Sequence, residues 1–227
     1  MSVGNRDIEA DLRGLIGESF GCTADIAATI YARGAVRGFA ADAVIVRQGE
    51  TASAAFLIAE GRARALLYSM EGQLILLCEY GRGDLFGALG ELEPAPEQAE
   101  IVAAEAVRSF VLKARDLVAL AQAYGCIGLA LSRLLLRQLR KATARIYERA
   151  AISAVGRVHA ELLRLAREAE DLTIRPAPVL SELAIRVATT RETASRAVSA
   201  LDRRGIIRRD GDSLRIVAPH RLEELII

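Results

Sequence analysis

Two short helices separated by three residues and followed by a hairpin leave few folds open, and residues 179–217 carry that pattern. The run Val179-Leu180-Ser181-Glu182-Leu183-Ala184-Ile185-Arg186-Val187 follows Pro176 and Pro178 and reads as a first helix. Only Ala188, Thr189 and Thr190 separate it from a second. In that second helix Ala194, Val198 and Leu201 recur at i, i+4 and i+7 and are expected to pack inward, while Arg191, Glu192, Ser195 and Arg196 share the opposite side. Thr190 is the expected N-cap and Gly205 the expected helix end. Ile206-Ile207-Arg208-Arg209, the turn Asp210-Gly211-Asp212-Ser213 and Leu214-Arg215-Ile216-Val217 read as a β-hairpin with a D-G turn signal. The whole is a winged helix-turn-helix.

Two arginines, a carboxylate and a hydroxyl on one rigid helix face suit the reading of base edges. Arginine grips guanine O6 and N7 bidentately, glutamate accepts from the cytosine amino group, and serine meets either kind of edge. Thr190, Ser199 and Arg208 complete the expected contact set with Arg191, Glu192, Ser195 and Arg196. A second reading makes Thr189 and Glu192 a capping box and the arginines a solvated face. The preceding helix, the wing and the nearby Arg203, Arg204, Arg208 and Arg209 favour double-stranded DNA as the partner. Aromatic residues stop at Tyr147, so this half lacks the stacking platform of a single-strand or RNA reader.

At 227 residues and 52% hydrophobic content the chain can bury two modest cores. Net charge is only +1, but it is unevenly placed: residues 113–149 hold eight Lys or Arg against Asp116 and Glu148. Cys22, Cys78 and Cys126 are too few and too far apart for a disulfide framework, and the N-terminal residues carry no apolar signal core. No apolar run approaches the ~18 residues of a membrane span. A cytoplasmic protein without membrane contact is expected.

Ahead of the winged segment the pattern changes twice. Residues 8–34 read as helical, with Ile8, Leu12, Leu15 and Ile16 at helix spacing and Ile26, Ile30 and Tyr31 after Thr23-Ala24-Asp25. From about Phe39 come short β-type runs at 44–46, 55–58, 63–68 and 74–78, punctuated by glycines and closed by Ile101-Val102 and Phe110-Val111-Leu112. Short strands at even spacing with glycine turns predict a β-sandwich or barrel. Residues 127–152 then lack proline, and Leu131, Leu135, Ala142 and Ile146 with Leu134, Leu139 and Tyr147 form a stripe wider than one partner surface requires. One edge is read as packing on the β domain and the other as a dimer seam, against a purely intramolecular helix. A break at 153–156 is the candidate hinge.

Gln48-Gly49-Glu50, Glu60-Gly61-Arg62, Glu71-Gly72, Gly83-Asp84-Leu85-Phe86-Gly87 and Arg191-Glu192-Thr193 followed by Arg196 stand in the order and spacing of one family. Over nearly its whole length the sequence resembles the Crp/Fnr family of bacterial transcription regulators. The resemblance implies an α+β fold: an N-terminal, jelly-roll-like β-roll sensor domain over 1–126, a dimerisation helix over 127–152 and a DNA-binding domain over 153–227. It also implies a homodimer joined through Leu131, Leu135, Leu139, Ala142 and Ile146, a near-palindromic site, RNA polymerase as a partner, and no enzymatic activity. Arg191 matches the readers of TGTGA and Ser195 beside Arg196 the readers of TTGAT, so half-sites containing GA are expected, about 34–36 Å apart. The other class of function is a signalling module whose C-terminal domain binds protein.

The implied effector pocket comprises Phe86, Gly87, Ala88, Leu89, Gln98, Ala99, Ala142 and Thr143. Cyclic-AMP-binding relatives place a glutamate where Ala88 stands and an arginine at Gln98, or at Glu97 if the loop is one residue shorter. No Lys or Arg occurs between Arg82 and Arg108, whereas Asp84, Glu91, Glu93, Glu97, Glu100 and Glu105 do. A buried phosphate without a cation is costly, so cyclic nucleotides are not expected in the usual manner and the effector is left unnamed. Iron–sulfur members need clustered N-terminal cysteines, and only Cys22 is there. The two histidines, His159 and His220, lie outside the β-roll, so neither haem nor another metal cofactor is expected. Cys78 and Cys126 are candidate oxidant sensors or simply small buried hydrophobes. His159 is read as a helix-face residue, and residues 219–227 as a short helix held by Leu222 and Leu225.

Overall fold

The structure, a computed structural model, describes residues 3–68, 74–90 and 96–226. The Glu71-Gly72 turn and the acidic residues Glu91 and Glu93 lie outside the described residues. The chain divides into two compact units, 1–138 and 139–227.

The first unit begins with α1 (Val3–Phe20) and α2 (Ala24–Tyr31). Eight strands come next: β1 (Ala35–Phe39), β2 (Val44–Val46), β3 (Ala54–Glu60), β4 (Ala63–Tyr68), β5 (Leu74–Tyr80), β6 (Leu85–Gly87), β7 (Glu100–Ala103) and β8 (Val107–Lys113). They form two antiparallel four-stranded sheets ordered β1-β8-β3-β6 and β2-β7-β4-β5, the jelly-roll-like arrangement expected. Strand β3 shows why the sequence folds so. Its alternate residues Ala55, Leu57 and Ala59 join a cluster with Leu12, Leu15, Ile16 and Ile30 of the helices, while Phe56 and Ile58 join Val46, Ala63, Ala65, Phe86 and Ile101. A strand covered on both faces has no polar side, so it reads as an unbroken apolar run.

Strands β1 and β6 were not legible in the sequence. β1 is an edge strand with four exposed residues, and β6 has three residues. Helix α3 (Ala114–Ala123) also escaped the sequence reading, although Leu117 and Leu120 are buried one turn apart.

Helix α4 (Gly125–Ala151) starts in the first unit, where Ile127 is buried and Ala130, Leu131 and Leu134 pack on the helical side of the roll. Further along, Leu135, Leu139 and Ile146 expose 53%, 63% and 70% of their surface, and Ala142 is exposed as well. No single helix among the described residues is long and apolar enough to cross a membrane.

The second unit continues through α5 (Ala154–Ala166), β9 (Thr173–Ile174), α6 (Leu180–Arg186), α7 (Arg191–Arg203), β10 (Ile207–Asp210), β11 (Ser213–Ile216) and α8 (Pro219–Glu223). Its core is one cluster joining Val158 and Leu162 of α5, Leu183 of α6, Ala194, Val198 and Leu201 of α7, and Ile207 and Leu214 of the hairpin. The hairpin gains a third strand, β9, giving the order β10-β11-β9; two residues are too short a run to show in a sequence. Asp210 pairs with Ser213, so the two-residue loop is Gly211-Asp212, with Gly211 at φ +55. The D-G signal thus lies one residue early, and glycine holds the first loop position. His159, read as a helix-face residue, lies on the inner face of α5: it is 5% exposed and its Nδ1 lies 3.2 Å from the Leu225 carbonyl oxygen.

Candidate nucleic-acid interface

Helix α7 is set by its two ends. At its start Thr190, not the Thr189 of a capping box, is the N-cap, and its Oγ1 accepts from the Thr193 N–H at 3.2 Å. At its end Gly205, at φ +64, donates to the Asp202 carbonyl and Ile206 donates to the Leu201 carbonyl, at 2.9 and 3.0 Å. That pair of bonds is a Schellman ending, completed by the burial of Leu201 and Ile206 together. Helix α6 ends the same way. Ala188 donates to the Ile185 carbonyl at 3.3 Å and Thr189 to the Ala184 carbonyl at 2.9 Å, with Ala188 rather than glycine at φ +50.

Arg157, which the sequence did not single out, holds this turn from α5. Its guanidinium donates to the carbonyls of Val187 at 2.9 Å, Ala188 at 3.1 Å and Ile152 at 3.0 Å. The first two close the turn between α6 and α7, and the third lies just after α4. Beside it Ser153 caps α5 by accepting from Gly156 N–H at 3.0 Å. A lone arginine on a helix gives no sequence signal for such a role, because its partners are backbone carbonyls contributed by distant residues.

Ala194, Ala197, Val198 and Leu201 are buried, which turns the other face of α7 outward. Arg191, Glu192 and Arg196 are exposed, Ser195 and Ser199 half-buried beside them. None of the three charged groups has an ion pair or hydrogen bond among the described residues. Glu192 in the first turn is favoured by the helix dipole without a partner. Arg208 sits on the exposed side of the wing strand β10. The face therefore offers two arginine forks, one acceptor and two hydroxyls at fixed spacing.

Residues 36–124 match the model of the cyclic nucleotide-binding domain and residues 156–225 that of the Crp-like helix-turn-helix domain. The cyclic AMP receptor protein of Thermus thermophilus is 31% identical over 183 residues, covering 80% of this chain and 83% of that protein. The chain belongs to the Crp/Fnr family of transcription regulators. The CRP-like cAMP-activated global transcriptional regulator of Mycobacterium tuberculosis is 27% identical, covering 78% of this chain and 82% of that protein. Among solved structures, the c-di-GMP-responsive global regulator CLP of Xanthomonas campestris shares the fold, with a TM-score of 0.75 at 18% identity over 86% of this chain and 99% of that one. These relatives are transcription regulators, not enzymes.

Within this Crp/Fnr member, the roll segment expected to hold an effector carries an aromatic cluster. Phe86 stacks on Phe56 at 5.2 Å between centroids and Tyr80 lies 4.9 Å from Phe86. Burial pushes the Tyr80 phenol well above its ordinary range, with Cys78, Glu97 and Asp84 adding to the effect. Gly87, at φ +85, lets the chain pass within a Cβ's reach of the Ala54 carbonyl, which accepts from Ala88 N–H at 3.0 Å. Ala88 is buried, Ala99 packs on the Phe56 cluster and Leu89 on the helical side of the roll. Gln98 is exposed, as are Ala142 and Thr143 on α4.

Three arginines of the roll are engaged elsewhere. Arg82 donates to the Ala59 carbonyl and to Asp11 Oδ1, at 2.6 and 2.8 Å; Arg64 pairs with Glu79 at 3.1 Å; Arg108 pairs with Glu60.

Proposed function

We propose that the protein is a homodimeric regulator that reads a near-palindromic duplex site through α7 and is not controlled by cyclic AMP. The reading rests on one observation: Arg191, Glu192 and Arg196 stand exposed and unengaged on a helix whose ends and inner face are fixed. Arg196 and Glu192 would read the G-A part of each half-site, with Arg191 favouring a further G outward. Each bidentate contact would contribute about 1–3 kcal/mol of discrimination. Thr190, Ser195, Ser199 and Arg208 would position the helix against the groove.

Domain roles accord with the same reading: 1–126 the effector domain, 127–152 the dimerisation helix, 153–227 the DNA-binding domain, with RNA polymerase as a partner in the cytoplasm. The exposed Leu135, Leu139 and Ile146 supply a seam whose cover is a second copy of α4. In the roll, Ala88 and Gln98 supply no charge for a ribose or cyclic phosphate, and Arg64, Arg82 and Arg108 are paired off.

Selection from random duplex DNA tests the site, with GA-containing palindromes expected. Arg196→Ala should abolish specific shifts while the dimer persists. Retention of specific binding would instead favour a C-terminal domain that docks protein. Tight cyclic AMP binding by titration calorimetry would overturn the effector reading.

A further inference from the structure

Strands β1 and β2 are the edges of the two sheets of the roll, and a cleft of about 420 Å³ opens between them. Strand alternation decides what lines it. On β8, Phe110 and Leu112 join the cluster packed on α1 and α2, whereas Val111 joins the Phe56 cluster between the sheets. Lys113, two residues on, shares the side of Val111. Ala35 of β1 pairs with Val111, which puts Arg37 on that same inner side, and Arg33 stands two residues before Ala35. Arg33, Arg37 and Lys113 form the rim of the cleft, and Ile45, Val46, Phe56 and Val111 its deeper walls.

None of the three cations has an ion pair or side-chain hydrogen bond among the described residues. Glu50, the carboxylate lining the same cleft, pairs with Arg47 at 3.7 Å. One inward charge on an edge strand guards it against pairing with another chain. Three around one cleft exceed that need, and they repel one another until an anion sits among them. The walls set the other half of the ligand. Val46 and Phe56 are 8% and 7% exposed, so the cleft runs from the charged rim to the core, and its volume suits a small molecule. A bare inorganic anion would leave the walls wet, and a neutral apolar ligand would leave the cations unanswered. An acidic protein segment would meet the rim without filling the depth. None of residues 86–89, 98–99 and 142–143, where an effector was expected, lines this cleft.

We propose that the cleft binds a small organic anion, a carboxylate or phosphate carried on an apolar body. Arg37 and Arg33 take the oxygens two at a time through their planar forks, Lys113 adds a point charge, and the body lies against Ile45, Phe56 and Val111. The site stands apart from the reading of α7. It is joined to the expected effector segment by backbone: Gly49 donates to the Glu97 carbonyl at 2.8 Å and Glu97 to the Glu50 carbonyl at 2.9 Å. The loop that walls the cleft is therefore bonded to the residues just before Gln98.

Titration calorimetry of the full-length protein with naphthoate, naphthyl phosphate and naphthylmethanol tests the site, since the three share a body and differ in the head. Both anions are expected to bind at least about tenfold more tightly than the alcohol, and their order tells carboxylate from phosphate. Arg37→Gln/Lys113→Gln should bring the anions down to the level of the alcohol, with Tm within about 2 °C of wild type because both residues are exposed. Arg37→Lys should keep part of the preference, charge without the fork. Ala52→Phe, which fills the cleft from the β2–β3 loop, should weaken all three ligands by about tenfold. Equal binding of anions and alcohol, undiminished anion binding in the glutamine variant, or no binding of any of the three overturns the proposal; the last result leaves the cations to an acidic protein segment.

Discussion

Ala188 occupies a backbone conformation, φ +50, in which glycine is at home and a Cβ is crowded. The left-handed region costs an L residue about 1–2 kcal/mol, part of which glycine returns through its freer unfolded chain. Ala188→Gly should therefore raise the unfolding free energy by about 0.5–1 kcal/mol in urea titration. A loss of stability would mean the turn gains more from the methyl than it loses in strain. Gly156 is the opposite case. A Cβ there would meet Ile152 Cγ2 at 2.7 Å and the Ile226 carbonyl oxygen at 2.8 Å, so Gly156→Ala should cost about 1–3 kcal/mol, read from the same titration. His159 brings pH into play. Burial holds its pKa below the ordinary 6.5, outweighing the opposing hydrogen bond to Leu225. The unfolded chain then binds the extra proton below about pH 6.5 while the folded one resists it. Stability is full above that pH and falls as pH drops toward the folded value. His159→Gln should flatten the decline of Tm between about pH 7.5 and 5.5, the window around the ordinary histidine value; parallel curves for the two proteins would refute the assignment.

Between α5 and α6 the decisive contact is one side chain on three carbonyls. Arg157→Ala leaves the Val187 and Ala188 carbonyls without their donor and should cost about 1–3 kcal/mol. Arg157→Lys should recover only part of this, since one ammonium cannot reproduce the fork; full recovery in thermal melts would show that charge alone suffices. Elements of this kind were the least readable in the sequence. Helices α6 and α7 and the hairpin were legible because periodicity, a Thr cap, a closing glycine and a turn all agreed. Strands β1, β6 and β9 were not, since an exposed edge, a three-residue run and a two-residue run leave no alternation to detect. The exposed polar face of α7 was visible as residue types at helix spacing. Arg157 and His159 were not, because their meaning depends on what folding brings beside them.

Across the whole chain, a net charge of +1 cannot attract DNA by itself, so recognition falls to local arginine clusters. The exposed stripe on α4 belongs to the same scale. Replacing Leu139, 63% exposed, by Asp should leave the fold of each protomer unchanged and convert dimer to monomer in sedimentation or light scattering. An unaltered assembly would place the seam elsewhere. In the proposed dimer, with two copies held by that stripe, the Arg157 fork would gain a wider meaning. It grips Ile152, the residue just past the end of α4, and the turn that sets the start of α7, with no other group in between. In that dimer any twist of one long helix against its twin would be handed directly to α7, so a signal would have only to rotate the seam to change how far apart the two halves of an operator must be.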